Sequence, residues 1–365
     1  MNAAAQTHQV DPQDIEHELD RVWSELYSDA ETGSITRAAM SNLLVFCSNE
    51  QQAIDVAARI PTLVEQHPAR VLIVALQESE DDSLQAWVSV HCRQLGGGQQ
   101  LCAENIELRF RAQAIERAVS VIRPLLIGDL PTALWWFSPQ PPPLMPDVFE
   151  PLAALSQQVI YDSVGWVNPI DGVRAMARWI QRRDKVVLNL AWRRLKSWRR
   201  MLASGLDPEF NPGAMQGLTD IEIVHGPDAF PLCWLLMGWV AARLDWRVKS
   251  SSCKQHEWIE WLFDSKQGTV RIRIQLDKNG PQRVIEKMDL SWLDANKQKQ
   301  HARFCTEGHH LVTDESHSCI PCITRPSFEF KLEQLVAAQM AHRHGDKLFM
   351  LIVEQVAAMS AVLTC

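Results

Sequence analysis

Residues 130–139 constrain the fold of this chain more than any other segment. Pro131 disfavours helix on its N-terminal side, and residues 133–137 are apolar and include the adjacent indoles of Trp135 and Trp136. A proline-rich run follows at once, and it can continue neither a helix nor a central strand. Because neighbouring side chains on a strand point to opposite faces, the pattern predicts a short buried strand that ties two layers of a domain together.

Strand patterns alternate with helical patterns on both sides of this segment. Residues 70–76 form a continuous β-branched run, which is typical of a strand covered on both faces. Further strands are predicted at 42–47, 84–93, 106–110 and 158–163, and helices at 50–66 and 112–127. We therefore expect a mixed α/β (α+β) fold whose first α/β domain spans residues 36–167, with a parallel or mixed sheet.

Three other segments complete the predicted organisation. An acidic amphipathic helix is expected within residues 1–35, after the cap at Asp11, and a basic helical connector at 168–217. A second α/β domain is expected at 218–365, with a largely antiparallel sheet, a cysteine-rich loop and C-terminal helices. Short turns predict antiparallel hairpins between the strands at 257–263, 269–277 and 282–290. The first C-terminal helix is predicted at 328–344, with Gly345 as its cap, and the second at 347–363.

Composition excludes several classes of protein. A net charge of −8 makes nucleic acid an unfavourable partner. The sequence has no run of 18 apolar residues, and its first ten residues lack the basic start and apolar core of a signal peptide. We therefore expect a cytoplasmic protein that does not bind a membrane. The nine scattered cysteines are expected to be mostly reduced thiols, with one special pair.

Basic and aromatic residues are concentrated between positions 168 and 204. This segment carries ten lysines and arginines against two aspartates, and three tryptophans are interleaved with them. The pattern fits two helices with solvated or locally paired arginines, an acidic protein partner, or nucleic acid. The candidates for a partner interface are Arg174, Arg178, Arg193, Arg194, Trp198, Arg199 and Arg200.

The sharpest local motif is the pair Cys319 and Cys322, separated by two residues. This spacing permits a redox-responsive pair, two zinc ligands or unremarkable thiols in a loop. Cys305 is a third redox candidate, and with His309 it would complete a tetrahedral set of zinc ligands. Pro326 disfavours the helix on which a thiol oxidoreductase would place its first cysteine.

Motifs of catalysis are absent from the sequence. It contains no G-x-G-x-x-G, G-x-x-x-x-G-K-[ST], H-E-x-x-H or G-x-S-x-G pattern. We therefore assign no catalytic residues, cofactor or metal, and a nucleotide-dependent enzyme is disfavoured. The alternative is a sugar-phosphate-binding protein or enzyme with an unrecognised site of arginines near the strand ends of the first domain.

Several stretches together resemble the glucose-6-phosphate dehydrogenase assembly protein OpcA family. They are the N-terminal helix with Ile15, Glu18, Leu19 and Trp23, and the segments 67–72, 130–136, 160–163 and 190–199. The likeness follows the same order along nearly the whole chain. At Asn189, where the family often has an acidic residue, and in the more basic 190–199 segment, this chain differs from the family pattern.

The resemblance implies a function through a partner protein. It implies a non-catalytic allosteric activator and assembly factor that binds glucose-6-phosphate dehydrogenase, promotes its active oligomer and raises its activity in the oxidative pentose phosphate pathway. It also implies redox control linked to thioredoxin, for which Cys319 and Cys322 are the candidates.

Overall fold

The structure is a computed structural model. It describes residues 7–29, 35–78, 83–94, 100–182, 185–209, 211–254, 257–314, 320, 322–327, 331–342 and 344–363. The chain divides into two compact units. Unit 1 is drawn from residues 1–161, 184–188 and 331–345, and unit 2 from residues 162–183, 189–330 and 346–365.

Unit 1 is an α/β unit built on one sheet. Its strands are β1 (His8–Val10), β2 (Ile35–Arg37), β3 (Ser41–Cys47), β4 (Ala69–Leu76), β5 (Gln85–Gln94), β6 (Gln100–Phe110), β7 (Thr132–Phe137), β8 (Gln158–Tyr161) and β9 (Val186–Asn189). Its helices are α1 (Ile15–Asp29), α2 (Glu50–Ala57), α3 (Ile60–Gln66), α4 (Ile115–Leu125), α5 (Pro146–Ala154) and α10 (Leu332–Met340).

The sheet of unit 1 has the order β1-β5-β6-β4-β3-β7-β8-β9, with β2 paired to β6. Strands β6, β4, β3, β7 and β8 are parallel, while β5 is antiparallel to β6. The connections that follow β3 and β7 therefore lead to opposite halves of the sheet, which makes the boundary between these two strands a topological switch point.

The buried strand predicted around the two adjacent indoles is confirmed. It is β7, in which Trp135 is 0% and Trp136 1% exposed. The Trp136 ring stacks on Phe46 of β3 at 4.0 Å between centroids and meets Phe149 of α5 edge-on at 5.2 Å. The Trp136 indole donates a hydrogen bond to the Gln140 carbonyl at 2.8 Å, so its polar group is satisfied.

Two helix predictions in unit 1 are wrong at their boundaries. Residues 50–66 form two helices, because Pro61 stands in the first turn of α3 and has no N–H for a continuing ladder. The helix predicted to run to Gly345 ends at Met340 in α10. The Gln158 side chain donates to the carbonyls of Gln339 and His342, at 2.9 and 3.2 Å, and satisfies the end of that helix in place of a glycine cap. The predicted start at 328–330 lies outside the described residues.

Unit 2 combines a second sheet with helices. Its strands are β10 (Leu218–His225), β11 (Arg247–Lys254), β12 (Trp258–Ser265), β13 (Gly268–Leu276), β14 (Ile285–Leu293), β15 (Lys299–Glu307), β16 (His310–Thr313) and β17 (Thr324–Pro326). Its helices are α6 (Pro169–Gln181), α7 (Leu190–Arg194), α8 (Lys196–Gly205), α9 (Phe230–Arg243) and α11 (Lys347–Ala361). Together with unit 1, these elements confirm the mixed α/β fold with a largely antiparallel second sheet and C-terminal helices.

The order of the second sheet is β11-β12-β13-β10-β14-β15-β16-β17. The predicted hairpin of β12 and β13 is confirmed. The hairpin predicted between the next two strands is wrong, because β10 lies between them, parallel to β13 and antiparallel to β14. The turn after Leu276 therefore connects strands that are not neighbours.

The two faces of this sheet differ. The inner face carries the apolar residues of each strand, and α9 and α11 pack on it. The Trp261 indole, for example, donates to the Met359 carbonyl at 3.0 Å. The outer face carries the alternate residues, which are mostly charged and partly exposed. Within the described part of the chain, none of the helices has the length and apolarity needed to cross a membrane.

Candidate interaction surfaces and thiols

The basic interface candidates lie on three consecutive helices of unit 2. Asn168 and Pro169 begin α6, and the Asn189 side chain caps α7 by accepting from the Ala191 amide at 2.9 Å. Helix α8 buries Trp198, Met201 and Leu202. The basic residues of these helices occupy the remaining positions, as expected for amphipathic helices with one face in a core.

Two of the predicted arginines are engaged within unit 2. Arg174 donates to the Ser360 carbonyl, at 2.7 Å from Nη2, and to the Leu363 carbonyl at 3.0 Å. These contacts satisfy carbonyls at the C-terminal end of α11, where a positive charge is favourable. Arg194 forms an ion pair with Asp162 at 2.6 Å. Both arginines therefore stabilise this unit.

Arg199 is held against Trp192. The centre of its guanidinium lies 3.5 Å from the centroid of the Trp192 ring, and the Trp192 indole donates to Asp346 at 3.0 Å. Burial lowers the pKa of Arg199 to about 10, Asp346 opposes that shift, and Arg193 and Arg200 add to it. The Trp198 side chain is only 6% exposed and belongs to the core of this unit.

Three of the seven candidates remain oriented towards solvent. Arg178 and Arg200 are exposed, and Arg193 is half-buried. We call these three residues the basic face. The sequence grouped all seven by charge and proximity, but the spacing of Trp198 with Met201 and Leu202 on one helical stripe was a signal for its burial.

The redox candidates are only partly described. Cys319 lies outside the described residues, and Cys322 is exposed. Cys305 is half-buried on β15, where burial and the nearby Asp314 carboxylate raise the pKa of its thiol. Among the described residues, no cluster of three or more His, Cys, Asp or Glu side chains has the geometry to hold a metal ion.

The expectation of mostly reduced thiols with one special pair is wrong for Cys92 and Cys102. These residues are directly opposite each other on β5 and β6 and form a disulfide with 4.1 Å between their Cα atoms. Cys253 is disulfide-bonded as well. A sequence signal for the first pair existed, because Cys92 and Cys102 lie equally far from Gly97, the middle residue of a run of three glycines.

The switch point of unit 1 is followed by a capped helix without glycines. After β3 the chain continues through Ser48 and Asn49, and Asn49 caps α2 by accepting from the Gln52 amide at 2.9 Å. Glu50 follows in the first turn and pairs with Arg109 at 2.9 Å. Dinucleotide-binding folds place glycines and a pyrophosphate at this point, whereas the residues between β3 and α2 of this chain are Ser48 and Asn49.

Family models match most of the chain. They are described as the N-terminal domain and the C-terminal domain of the glucose-6-phosphate dehydrogenase subunit, and they match residues 61–178 and 185–351 respectively. An oxidoreductase from Sinorhizobium meliloti superimposes with a TM-score of 0.46 at 9% identity, over 88% of this chain and 89% of that chain. The WlbA dehydrogenase from Thermus thermophilus superimposes with a TM-score of 0.46 at 10% identity, over 89% and 96%.

Two relatives carry the provisional name OxPP cycle protein OpcA. The protein from Nostoc punctiforme is 29% identical over 187 residues, which are 51% of this chain and 40% of the relative. The protein from Synechocystis sp. is 27% identical over 193 residues, which are 52% of this chain and 40% of the relative. The matched region thus spans less than half the length of either relative. Because the two family models together cover more than half of the sequence, the chain belongs to the OpcA glucose-6-phosphate dehydrogenase assembly family.

Proposed function

We propose that this chain is a non-catalytic, cytoplasmic partner of glucose-6-phosphate dehydrogenase that promotes the active oligomer of the enzyme. The match of both family models is the observation that carries the proposal. A partner of this kind acts allosterically, because it raises activity only by binding the active state of the dehydrogenase more tightly than the inactive state. The protein would then act in the oxidative pentose phosphate pathway.

The lining of the switch point in unit 1 supports the non-catalytic part of the proposal. A dehydrogenase of this topology holds its cofactor pyrophosphate on glycine amides at the first helix. In this chain Asn49 already uses the Gln52 amide, and no glycine stands between β3 and α2. We therefore expect neither nicotinamide cofactor binding nor hydride transfer by the protein alone.

The basic face of Arg178, Arg193 and Arg200 is the proposed contact with an acidic surface of the dehydrogenase. These side chains project from helices whose other arginines are held by Asp162, Trp192 and the end of α11. A rigid scaffold of this kind lowers the entropy cost of ordering the exposed arginines on binding. Arginine is also enriched among residues that dominate binding energy.

Redox control through thioredoxin is the second part of the proposal. Thioredoxin would reduce a disulfide between Cys319 and Cys322 to two thiols, while its own two thiols become a disulfide. Cys319→Ser should then abolish any effect of oxidant on activation. An oxidant response that persists in this variant would instead assign the switch to Cys305 or another cysteine.

The test is to mix the purified chain with the dehydrogenase from the same source. Co-elution, together with a lower KM or a higher kcat of the dehydrogenase, supports the proposal. The double variant Arg178→Glu and Arg200→Glu should weaken both effects at least about tenfold. Lys266→Glu makes the same kind of change in an exposed turn of unit 2 and serves as the matched control.

Two results would contradict the proposal. One is that the chain neither co-elutes with the dehydrogenase nor changes its kinetics. The other is that the chain alone binds glucose 6-phosphate in calorimetry or reduces a nicotinamide cofactor, which would favour the sugar-phosphate alternative.

A further inference from the structure

The outer face of the second sheet has an ordered pattern of side chains across its strands. The strand register places Glu260, Arg273, Glu222, Asp289 and Arg303 in one row across five neighbouring strands. Next to it, Trp258, Gln275, Val224, Lys287, Cys305 and Val312 form a second row across six strands. A charged row and a more apolar row therefore run side by side over this face.

Most charges of this face are neutralised within the chain. Arg273 pairs with Glu260 at 2.7 Å, Arg271 with Asp220 at 2.6 Å, and Arg303 with Asp289 at 2.6 Å. These pairs cross between adjacent strands and stabilise the sheet. Within the two rows they leave one acid and one base without an ion pair.

The remaining charges are Glu222 and Lys287. Within the described part of the chain, neither takes part in an ion pair. Glu222 lies directly opposite Asp289 across β10 and β14, and like charges at such positions are unfavourable. Both residues line one polar groove with a volume of about 420 Å³, and Asp277 lines the same groove. Glu222 and Lys287 thus lie side by side in a groove that is open to a partner.

We propose that this outer face binds the same face of a second copy of the chain, with Glu222 of each copy paired to Lys287 of the other. A two-fold axis makes every contact occur twice. Glu222 of the first copy then pairs with Lys287 of the second, and Lys287 of the first copy pairs with Glu222 of the second. These two rows and the neighbouring row of Asp220 and Arg271 are electrically balanced, with Asp220, Glu222, Glu260 and Asp289 against Arg271, Arg273, Lys287 and Arg303. Two such faces attract, although each chain carries a net charge of −8.

The size of the face suits a stable dimer. Six strands about 4.8 Å apart and about 27 Å long offer roughly 700 Å² on each copy. The buried total of roughly 1,400 Å² lies within the range of specific protein interfaces. Trp258, Val224 and Val312 add apolar area to the contact, and half-exposed Cys305 lies in the same row.

The decisive experiment exchanges the two charges in the full chain, without the dehydrogenase. Sedimentation should give the wild-type chain twice its 41.4 kDa mass. Glu222→Lys and Lys287→Glu should each raise the dimer dissociation constant about a hundredfold, because like charges then meet at both symmetry-related contacts. The double variant with both changes should recover the dimer. Lys266→Glu, in the turn after β12, should remain dimeric.

A second measurement needs no substitution. Alkylation of the Cys305 thiol, followed by peptide mass spectrometry, should slow as the protein concentration rises through the dissociation constant, because the dimer covers this row. Circular dichroism of each variant confirms that its fold is intact.

Several outcomes would overturn the inference. They are a wild-type chain that stays monomeric at about 100 μM, single reversals that leave the dimer intact, a double variant that does not recover it, or alkylation independent of concentration. If the chain alone is monomeric and Glu222→Lys instead abolishes binding of the dehydrogenase, the face serves that partner and the dimer is excluded. Sedimentation and alkylation of the chain alone do not report on activation of the dehydrogenase, so the two proposals fail separately.

Discussion

Trp23 and Glu104 are joined by a buried hydrogen bond of 2.7 Å from the indole Nε1 to the carboxylate. The same carboxylate accepts from Arg70 Nε at 2.6 Å and pairs with Arg37 at 2.5 Å. Arg70 in turn contacts Glu16 of α1 at 2.7 Å. One buried carboxylate on β6 therefore holds both the N-terminal helix and the neighbouring strand.

Removing the charge of Glu104 should destabilise unit 1 strongly. In Glu104→Gln the Arg70 side chain, only 6% exposed, keeps its charge but loses a buried carboxylate. We expect the free energy of unfolding, measured with urea, to fall by about 3 kcal/mol. The control is Glu25→Gln, which removes a carboxylate that, among the described residues, pairs only with exposed Arg21. It should lower the free energy of unfolding by less than about 1 kcal/mol. Equal losses in the two variants would contradict this account.

Gly238→Ala should destabilise unit 2, although alanine favours helix. A Cβ at this position would lie 2.5 Å from Val356 Cγ2, so α9 and α11 would have to move apart. We expect the unfolding free energy to fall by about 1–3 kcal/mol. Gly128→Ala, where an added Cβ meets no atom within 4 Å, is the control and should be close to neutral. A stabilised Gly238→Ala protein would show that the helix contact is loose.

The free energy of unfolding should decrease as the pH is lowered, and His225 is one cause of this. Burial lowers its pKa, while the hydrogen bond from its Nδ1 to the Gly226 carbonyl, at 2.7 Å, opposes that shift. Below the unfolded pKa of about 6.5 the unfolded chain binds the proton first, so the free energy of unfolding decreases as the pH drops. The slope from this residue is at most about 1.4 kcal/mol per pH unit.

Urea titrations at pH 7.5, 6.5 and 5.5 measure this slope. His225→Asn retains a hydrogen-bond donor for the Gly226 carbonyl but does not titrate, so its slope should be smaller than that of the wild type. Part of the slope should remain, because burial lowers the pKa of His91 too. Identical slopes in the two proteins would remove His225 as a cause.

The double variant Cys92→Ser and Cys102→Ser should lower the unfolding free energy of unit 1 by about 3 kcal/mol, since the closed loop has a sequence separation of 10. The comparison is made without reductant, so that the bonded Cys253 is unchanged in both proteins. Peptide mass spectrometry of the urea-unfolded wild type is the control, because Cys92 and Cys102 should resist alkylation until a reductant is added. A variant as stable as the wild type would mean that the loop is ordered without the bond.

Local patterns predicted the parts of the fold that depend on neighbouring residues. The strand of Trp135 and Trp136, the buried strand β4 and the hairpin of β12 and β13 follow from alternation, apolar runs and turn length. The position of β10 could not be predicted this way, because nothing near residues 218–225 indicates which later strands it will join. For the same reason the sequence could not show which arginines of α6 to α8 have contacts within the unit, since the partners of Arg174 lie at the end of α11.

The position of β10 also sets an order of events during folding. Leu218 pairs with Trp292, and β13 and β14 meet only through the strand that precedes both in the chain. The centre of the second sheet therefore cannot form by zipping from successive turns, and must wait until residues through 293 are available. During synthesis on a ribosome, β10 leaves the exit tunnel with both edges unpaired, and the apolar helix α9 emerges next without the sheet that will cover it.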